Sequence, residues 1–275
     1  MFWVCEKYGS MSVPKMFFSC VRNYMEEHMI SKGCVYMAWD AKLIRGSTNH
    51  RKSDDTVEYK STRDHERNAK VYEMDTQIRK MAKHAGLYNI YPGVLEADDV
   101  IAFLSKELEG HSTIVSVDQD LLQLISDTTD VYEPIKKRLI TCDNFTTYHP
   151  VPLSKFVQYK AMMGDKSDNI PGIPKVGPKR AAKLLEEGID TLSSEHTEIY
   201  ERNLELMDLA YSLSRYPNEV KLYSQQLEKS QQGHHVDTSK FLNVCSDVDC
   251  TDINIGFLEP FTYNNSIVNI TSILS

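Results

Sequence analysis

The chain has 275 residues, enough for one large domain or two modest ones, and its 41% hydrophobic and 25% charged fractions are those of a globular protein. Its apolar runs are too short for a membrane span and its N-terminus lacks a basic region ahead of an apolar core, so neither a membrane segment nor a secretory leader is expected. A formal net charge of −8 excludes a nucleic-acid partner only if the acids stay unliganded, so the placement of the basic residues matters more than their number.

In chain order, residues 12–31 read as a helix with Ser12 as its cap and Met16, Phe17, Cys20, Val21, Tyr24 and Met25 on one face. Gly33 ends it, and CVYMAW reads as a buried strand that delivers Asp40 at its carboxyl end. From 41 to 63 the chain turns polar and basic. A second helix is expected over about 64–85, with Val71, Met74, Ile78 and Met81 as its stripe, and LYNIY follows as a short strand. LEADDVIAFLSKELEG reads as a helix with its acids in the first turn. STIVSV reads as a second buried strand, delivering Asp118. Residues 152–212 read as wholly helical, and the remainder as a weakly patterned tail. Strands alternating with helices imply an α/β fold with a mostly parallel, helix-covered sheet. Ligands in such sheets collect beyond the carboxyl ends of the strands, where Asp40 and Asp118 both fall. The six cysteines lack CxxC pairing, so Cys20 and Cys34 are expected as buried reduced thiols in a cytosolic protein, and the His234–His235 pair reads as a solvated loop.

Eight acids fall into four short clusters: Asp40; Glu96, Asp98 and Asp99 in EADD; Asp118 and Asp120 in VSVDQD; and Asp165 and Asp168 in GDKSDN. Carboxylates gathered together repel one another unless cations neutralise them. Taken alone, EADD is better explained as acids stabilising the positive end of a helix. DQD after a strand is more specific, because it aims two carboxylates at a sheet edge where Mg²⁺ or Mn²⁺ finds oxygen ligands; an Asx-turn accounts for one of the two acids. The segment GDKSDNIPGIPKVGPKRAAKLL carries the most. Gly172 and Gly177 bracket a tight turn, Pro178 opens a helix, and the exposed amides with Lys175, Lys179 and Arg180 suit a phosphodiester backbone. A plain helix-turn-helix packing motif is the bland alternative. Lys60 and Arg63 in EYKSTR suit holding phosphate against a negative site, against the alternative of a solvated basic face.

With these motifs in order, the chain resembles the 5′-nuclease superfamily: flap endonucleases, the 5′–3′ exonuclease domains of bacterial DNA polymerase I, and phage 5′-exonucleases. The resemblance covers roughly residues 12–212. It implies a PIN-like nuclease core over residues 1–150, with a helical arch segment at about 41–70. It further implies a helix–three-turn–helix DNA-binding subdomain with a C-terminal tail over 151–275. Asp40, Glu96 and Asp98 then resemble ligands of a first metal ion, and Asp118, Asp120 and Asp165 ligands of a second, with Asp99 and Asp168 in support. Lys60 and Arg63 resemble the arch residues that contact the scissile phosphate. Gly172, Lys175, Val176, Gly177, Lys179 and Arg180 resemble the duplex-gripping hairpin, with a K⁺ ion at its carbonyls.

The implied reaction is hydrolysis of a DNA phosphodiester with two Mg²⁺ or Mn²⁺ ions about 3.5–4 Å apart. The implied partners are branched or 5′-ended duplex DNA and RNA–DNA primer hybrids, met by a monomer in the cytoplasm or nucleoid of a bacterial or phage-infected cell. In one respect the chain departs from the pattern. The family opens with a strand ending in an Asp-Gly-x-Asn-type motif, and no aspartate precedes Asp40 here. Two explanations stay open, a chain read from a late start codon and a shortened member of the family. For the chain as given a slow, Mn²⁺-favouring nuclease is expected, with a branched-DNA binder that does not cut as the rival and a PIN-type RNase as a third reading.

Overall fold

The structure, a computed structural model, describes residues 12–27, 35–40, 65–232, 236–250, 252–258 and 261. The helices are α1 (Val13–Glu27), α2 (His65–His84), α3 (Ala97–Glu107), α4 (Phe145–Tyr148), α5 (Phe156–Met163), α6 (Pro178–Glu187), α7 (Ser194–Met207), α8 (Leu209–Arg215), α9 (Pro217–Gln232) and α10 (Thr238–Asp247). The strands are β1 (Tyr36–Ala38), β2 (Tyr88–Ile90), β3 (Ser112–Val115), β4 (Thr129–Glu133), β5 (Arg138–Ile140), β6 (Gly164–Asp165) and β7 (Ile170–Pro171).

Two compact units share the chain without dividing it into consecutive halves. One comprises Met1–Met37, Asp64–Ile90 and Gln225–Ser275, the other Ala38–Arg63 and Tyr91–Ser224. In the first, α2 packs against α10 and buries Ile78, Met81 and Ala82 completely. Phe18 of α1 meets Phe241 and Phe261 edge-on, with ring centroids 5.4 and 6.0 Å apart, a geometry that adds about 1 kcal/mol per pair to the burial itself. The buried face of α1 is thus Met16, Phe18 and Met25. Cys20, expected inside, is exposed. Adjacent Phe17 and Phe18 let the apolar stripe be read on the wrong side, and only the packing partners choose. Cys34 and the two histidines at 234 and 235 lie outside the described residues.

Every candidate carboxylate belongs to the second unit. Here β3 pairs parallel with β4, and β4 pairs antiparallel with β5. Sequence reading missed β4 and β5, because Lys137 takes the turn's left-handed backbone (φ 49°) where a Gly or Asn would have signalled a hairpin. The strand expected as buried at 112–117 is half-open, with Val115 and Val117 exposed. Leu122, Ile125, Val131, Ile140, Phe145 and Phe156 form the core beneath this sheet.

The region expected to be wholly helical contains a small ladder. Gly164 opposes Pro171 and Asp165 opposes Ile170. Its closeness demands glycine twice. A Cβ on Gly164 (φ 71°) would lie 2.3 Å from the Gly172 nitrogen, and one on Gly172 would lie 2.3 Å from the Met163 carbonyl oxygen. Buried Asn203 ties the ladder to α5 by donating to the Ala161 and Pro171 carbonyls at 2.8 and 2.9 Å. The tail, read as weakly patterned, supplies α9 and α10.

Candidate active site

At the start of α3 the acids are met by backbone. Asp99 is fully buried and accepts the Glu96 N–H at 2.9 Å, reciprocating across the first turn as a capping box. The bland reading of EADD therefore holds for this residue. Asp40 follows β1 and accepts the Ala97 N–H at 3.1 Å, so the chain brings Asp40, Glu96 and Asp98 to one helix N-terminus, whose dipole favours anions. Trp39 stacks on Tyr91 with centroids 6.5 Å apart, alongside the turn that leads into Glu96. Buried Glu219 of α9 closes that turn from behind. It accepts Gly93 N–H at 2.8 Å, Val94 N–H at 3.3 Å and the Tyr223 hydroxyl at 2.9 Å. Position 93 is glycine because a Cβ there would come within 2.4 Å of the Glu219 carboxylate.

The second group is met by a cation. Asp118 accepts the Asp120 N–H at 2.9 Å, which is the Asx-turn, and its own N–H goes to the Ser116 hydroxyl at 3.1 Å. Asp120 opens a 3₁₀ turn (Asp120–Leu124) that packs against α3, bringing the two groups of acids onto neighbouring elements. Lys160 of α5, only 13% exposed, forms an ion pair with Asp120 and a second with Asp165 at 3.1 Å. Burial holds the Asp120 carboxyl above its ordinary range despite this lysine. At Asp165 burial also pushes upward, but the Ser167 hydroxyl (2.5 Å), the Ser167 amide (2.8 Å) and Lys160 outweigh it and hold the carboxyl below the ordinary range. For Lys160 burial disfavours the charge, and the two aspartates more than offset that, raising its pKa. Asp168 sits half-buried three residues after Asp165.

The hairpin follows directly. Ile173 N–H reaches back to the Met162 carbonyl at 2.8 Å, Val176 N–H closes the turn on Ile173 at 3.1 Å, and Lys175 takes a left-handed backbone (φ 62°). Gly177 is the N-cap and Pro178 opens α6. Lys175, Gly177, Lys179 and Arg180 are exposed, so this edge presents three cations beside a helix N-terminus. Val176 is not part of that surface: its amide is used in the turn and its side chain is buried with Ile173, Ala181 and Leu185. Gly172 serves the ladder described above. Lys60 and Arg63 lie outside the described residues.

Four residues shaping this site were missed in the sequence. Lys160 left a signal, being a lone cation in the apolar run YKAMMG five residues before Asp165. Gln119, Glu133 and Glu219 left none, since their partners are distant in the chain. An all-carboxylate donor set fits a hard divalent cation, and Lys160 shows that a positive charge is accommodated between Asp120 and Asp165. Among the described residues, no group of three or more His, Cys, Asp or Glu side chains already converges as a metal site.

Comparison with known proteins supplies the family. Residues 9–149 match the description "5'-3' exonuclease, N-terminal resolvase-like domain", and residues 151–240 match "5'-3' exonuclease, C-terminal SAM fold". The chain belongs to the 5′–3′ exonuclease family. It is 37% identical to DNA polymerase I of Rhizobium leguminosarum over 53% of this chain and 16% of the polymerase. It is 32% identical to a 5′–3′ exonuclease of Halalkalibacterium halodurans over 63% of this chain and 57% of the relative. It is also 28% identical to flap endonuclease Xni of Shewanella loihica, over 76% of this chain and 83% of that protein. The chain thus spans little more than half of the Halalkalibacterium exonuclease and a small part of the polymerase.

Among solved structures, the bacteriophage T5 5′-exonuclease with bound divalent metal ions (zinc) superposes with a TM-score of 0.66 at 20% identity, over 83% of this chain and 95% of that one. The T5 flap endonuclease in a pseudo-enzyme-product complex with DNA and metal ions gives 0.65 at 20% identity, over 82% and 93%. Likeness at this identity speaks for the fold: an α/β resolvase-like domain followed by a helical one.

Proposed function

We propose that this family member is a divalent-metal-dependent, structure-specific 5′ nuclease that hydrolyses phosphodiester bonds in branched or 5′-ended duplex DNA during replication or repair. One observation carries the reading: acidic segments far apart in sequence all fall in a single compact unit, with Asp40 on the Ala97 amide at the α3 start, Asp120 and Asp165 sharing Lys160, and the 3₁₀ turn of Asp120 packed against α3, while the basic hairpin follows Asp168 directly. In this reading Asp40, Glu96 and Asp98 would hold one Mg²⁺ or Mn²⁺ ion and Asp118, Asp120 and Asp165 another, with Asp99 and Asp168 in support. When bound, such ions activate water and stabilise the leaving oxygen. Lys175, Lys179 and Arg180 hold the backbone of the duplex without reading bases, and a K⁺ ion suits the turn's carbonyls. Lys60 and Arg63 offset charge on the phosphate under attack.

The labour divides between a nuclease core over 1–150 and a DNA-gripping part over 151–275. The chain works as a monomer in the cytoplasm, close to the nucleoid, and also accepts RNA–DNA primer hybrids. A 5′-labelled flap incubated with Mg²⁺ or Mn²⁺, beside Asp165→Ala as a blank, tests the proposal. Cleavage that needs the divalent ion and is absent from the blank is the expected result; an intact flap under every condition refutes it. The rival, a member that grips branched DNA without cutting, draws on the ion pairs of Lys160, which already meet the charge of Asp120 and Asp165. Tight flap binding without cleavage would decide for it.

A further inference from the structure

The loop that carries Asp118 and Asp120 has little apolar packing to hold it. Val117 is 55% exposed and Asp118 is exposed, so the hydrophobic core ends below the turn, at Leu121 and Leu122. What fixes the loop is polar. Ser116 N–H extends the parallel ladder by one step to the Tyr132 carbonyl at 3.1 Å. Three residues further on, the Gln119 amide donates to the Glu133 carboxylate at 2.8 Å. Glu133 ends β4 and is only 3% exposed. It is a stationary anchor because two cations also hold it: Lys136 at 3.2 Å on the same oxygen, Oε1, that takes the Gln119 amide, and Arg138 on Oε2, its guanidinium 4.3 Å over the Tyr148 ring. Beyond Asp120, Gln123 donates to the Asp120 and Met207 carbonyls at 2.8 and 3.0 Å and accepts the Leu209 N–H at 3.0 Å. The turn is therefore clamped on both sides of the two aspartates.

We infer that Glu133 and Gln119 are positioning residues, which lock the Asp118–Gln119–Asp120 turn so that its two carboxylates face a metal ion together. Glu133 does not need Gln119 for its charge, since Arg138 and Lys136 neutralise it. The Gln119 amide is what gains, because this bond stops the peptide between the two aspartates from rotating. Outer partners that orient ligands in this way are worth about 10–100-fold in metal affinity. The inference rests on the reading of Asp118 and Asp120 as metal ligands.

Mn²⁺ titration of the full chain, followed by electron paramagnetic resonance and by calorimetry, separates the two ideas. Gln119→Leu removes the donor and keeps the bulk, and should weaken Mn²⁺ binding about tenfold while the melting temperature in EDTA stays close to that of the parent. Glu133→Gln alone keeps a carbonyl acceptor for the Gln119 amide and should retain most of the affinity, which a merely structural role would not require. Adding Glu133→Gln to Gln119→Leu should cost little more in affinity, since both act through one bond. Asp118→Ala is the control and should weaken Mn²⁺ binding more than either. If Asp118→Ala weakens binding and Gln119→Leu does not, the positioning role is overturned and the metal reading stands. If Asp118→Ala itself changes nothing, the metal reading fails and takes this inference with it.

Discussion

The acids at the start of α3 and those around the 3₁₀ turn pose one electrostatic problem, and the chain meets it in two ways. At α3 the compensation is backbone: Asp99 caps Glu96, Asp40 takes the Ala97 amide, and the helix dipole favours the whole group. At the turn a side chain joins the backbone: besides the amides that meet Asp118 and Asp165, Lys160 pairs with both Asp120 and Asp165. Amides cannot leave, so this hold on the first group is fixed. A lysine can swing aside, so the second group is held in the apo protein by an ion that an incoming divalent cation must displace or share. One protein thus shows a preformed and an exchangeable way of holding like charges together.

Removing Asp98 tests the first group most severely. Asp98→Ala should lower flap cleavage by more than about 100-fold, beyond the loss of an outer partner, with the fold kept; this is read in a single-turnover assay beside circular dichroism. Activity within a few-fold of the parent would remove Asp98 from the site.

Lys160→Met breaks the comparison at its other end. It strands two acids without their counter-ion, and the cost in EDTA should reach about 3 kcal/mol, with millimolar Mn²⁺ recovering a larger share of the melting temperature than in the parent. An unchanged melting temperature in EDTA would mean that the ion pairs hold nothing.

A third change asks whether the hairpin works apart from both groups. Lys175→Ala with Lys179→Ala should weaken duplex binding about tenfold for every sequence and make its salt dependence shallower by about two phosphate contacts, leaving Mn²⁺ affinity alone. Binding measured across a salt series reads this directly.

Asp99→Ala sharpens the backbone side of the contrast. Loss of the cap should cost about 1 kcal/mol, roughly 2–4 °C at this size, with no recovery by Mn²⁺. Recovery by metal would make Asp99 a ligand instead.

The smallest effect concerns acid. Burial alone would raise the Glu133 carboxyl, but Arg138, Gln119 and Lys136 outweigh it and hold it below the ordinary range. Its contribution is therefore complete above the unfolded value of about 4.3 and is lost as pH falls through the lower folded value. Glu133→Gln should flatten the fall in melting temperature below about pH 4 and change little of its slope above pH 5.

Much of the fold was legible because its signals are local. The helices at 13–27, 65–84 and 97–107 declare themselves by stripe and cap, and the Gly172–Pro178 turn by residues that few other conformations accept. The acids were equally plain, since carboxylates at strand ends and in the GDKSDN segment need no partner to be noticed. Less visible were β4 and β5, whose turn uses a lysine where a glycine would have spoken, and the choice of Phe18 over Cys20 as the buried side of α1.

By itself, then, the sequence determined which residues carry the charge, where the basic glycine- and proline-marked turn lies, and the helical frame that holds them, because each follows from the chemistry of neighbours within a few positions. Tertiary structure alone decided how that charge is held. Lys160 reaches Asp120 from 40 positions away, Glu219 reaches Gly93 from 126, and Gln119 meets Glu133 across a strand pairing. A buried carboxylate is stable only with its donors in place, and those donors are chosen by how the chain packs, which no local pattern encodes.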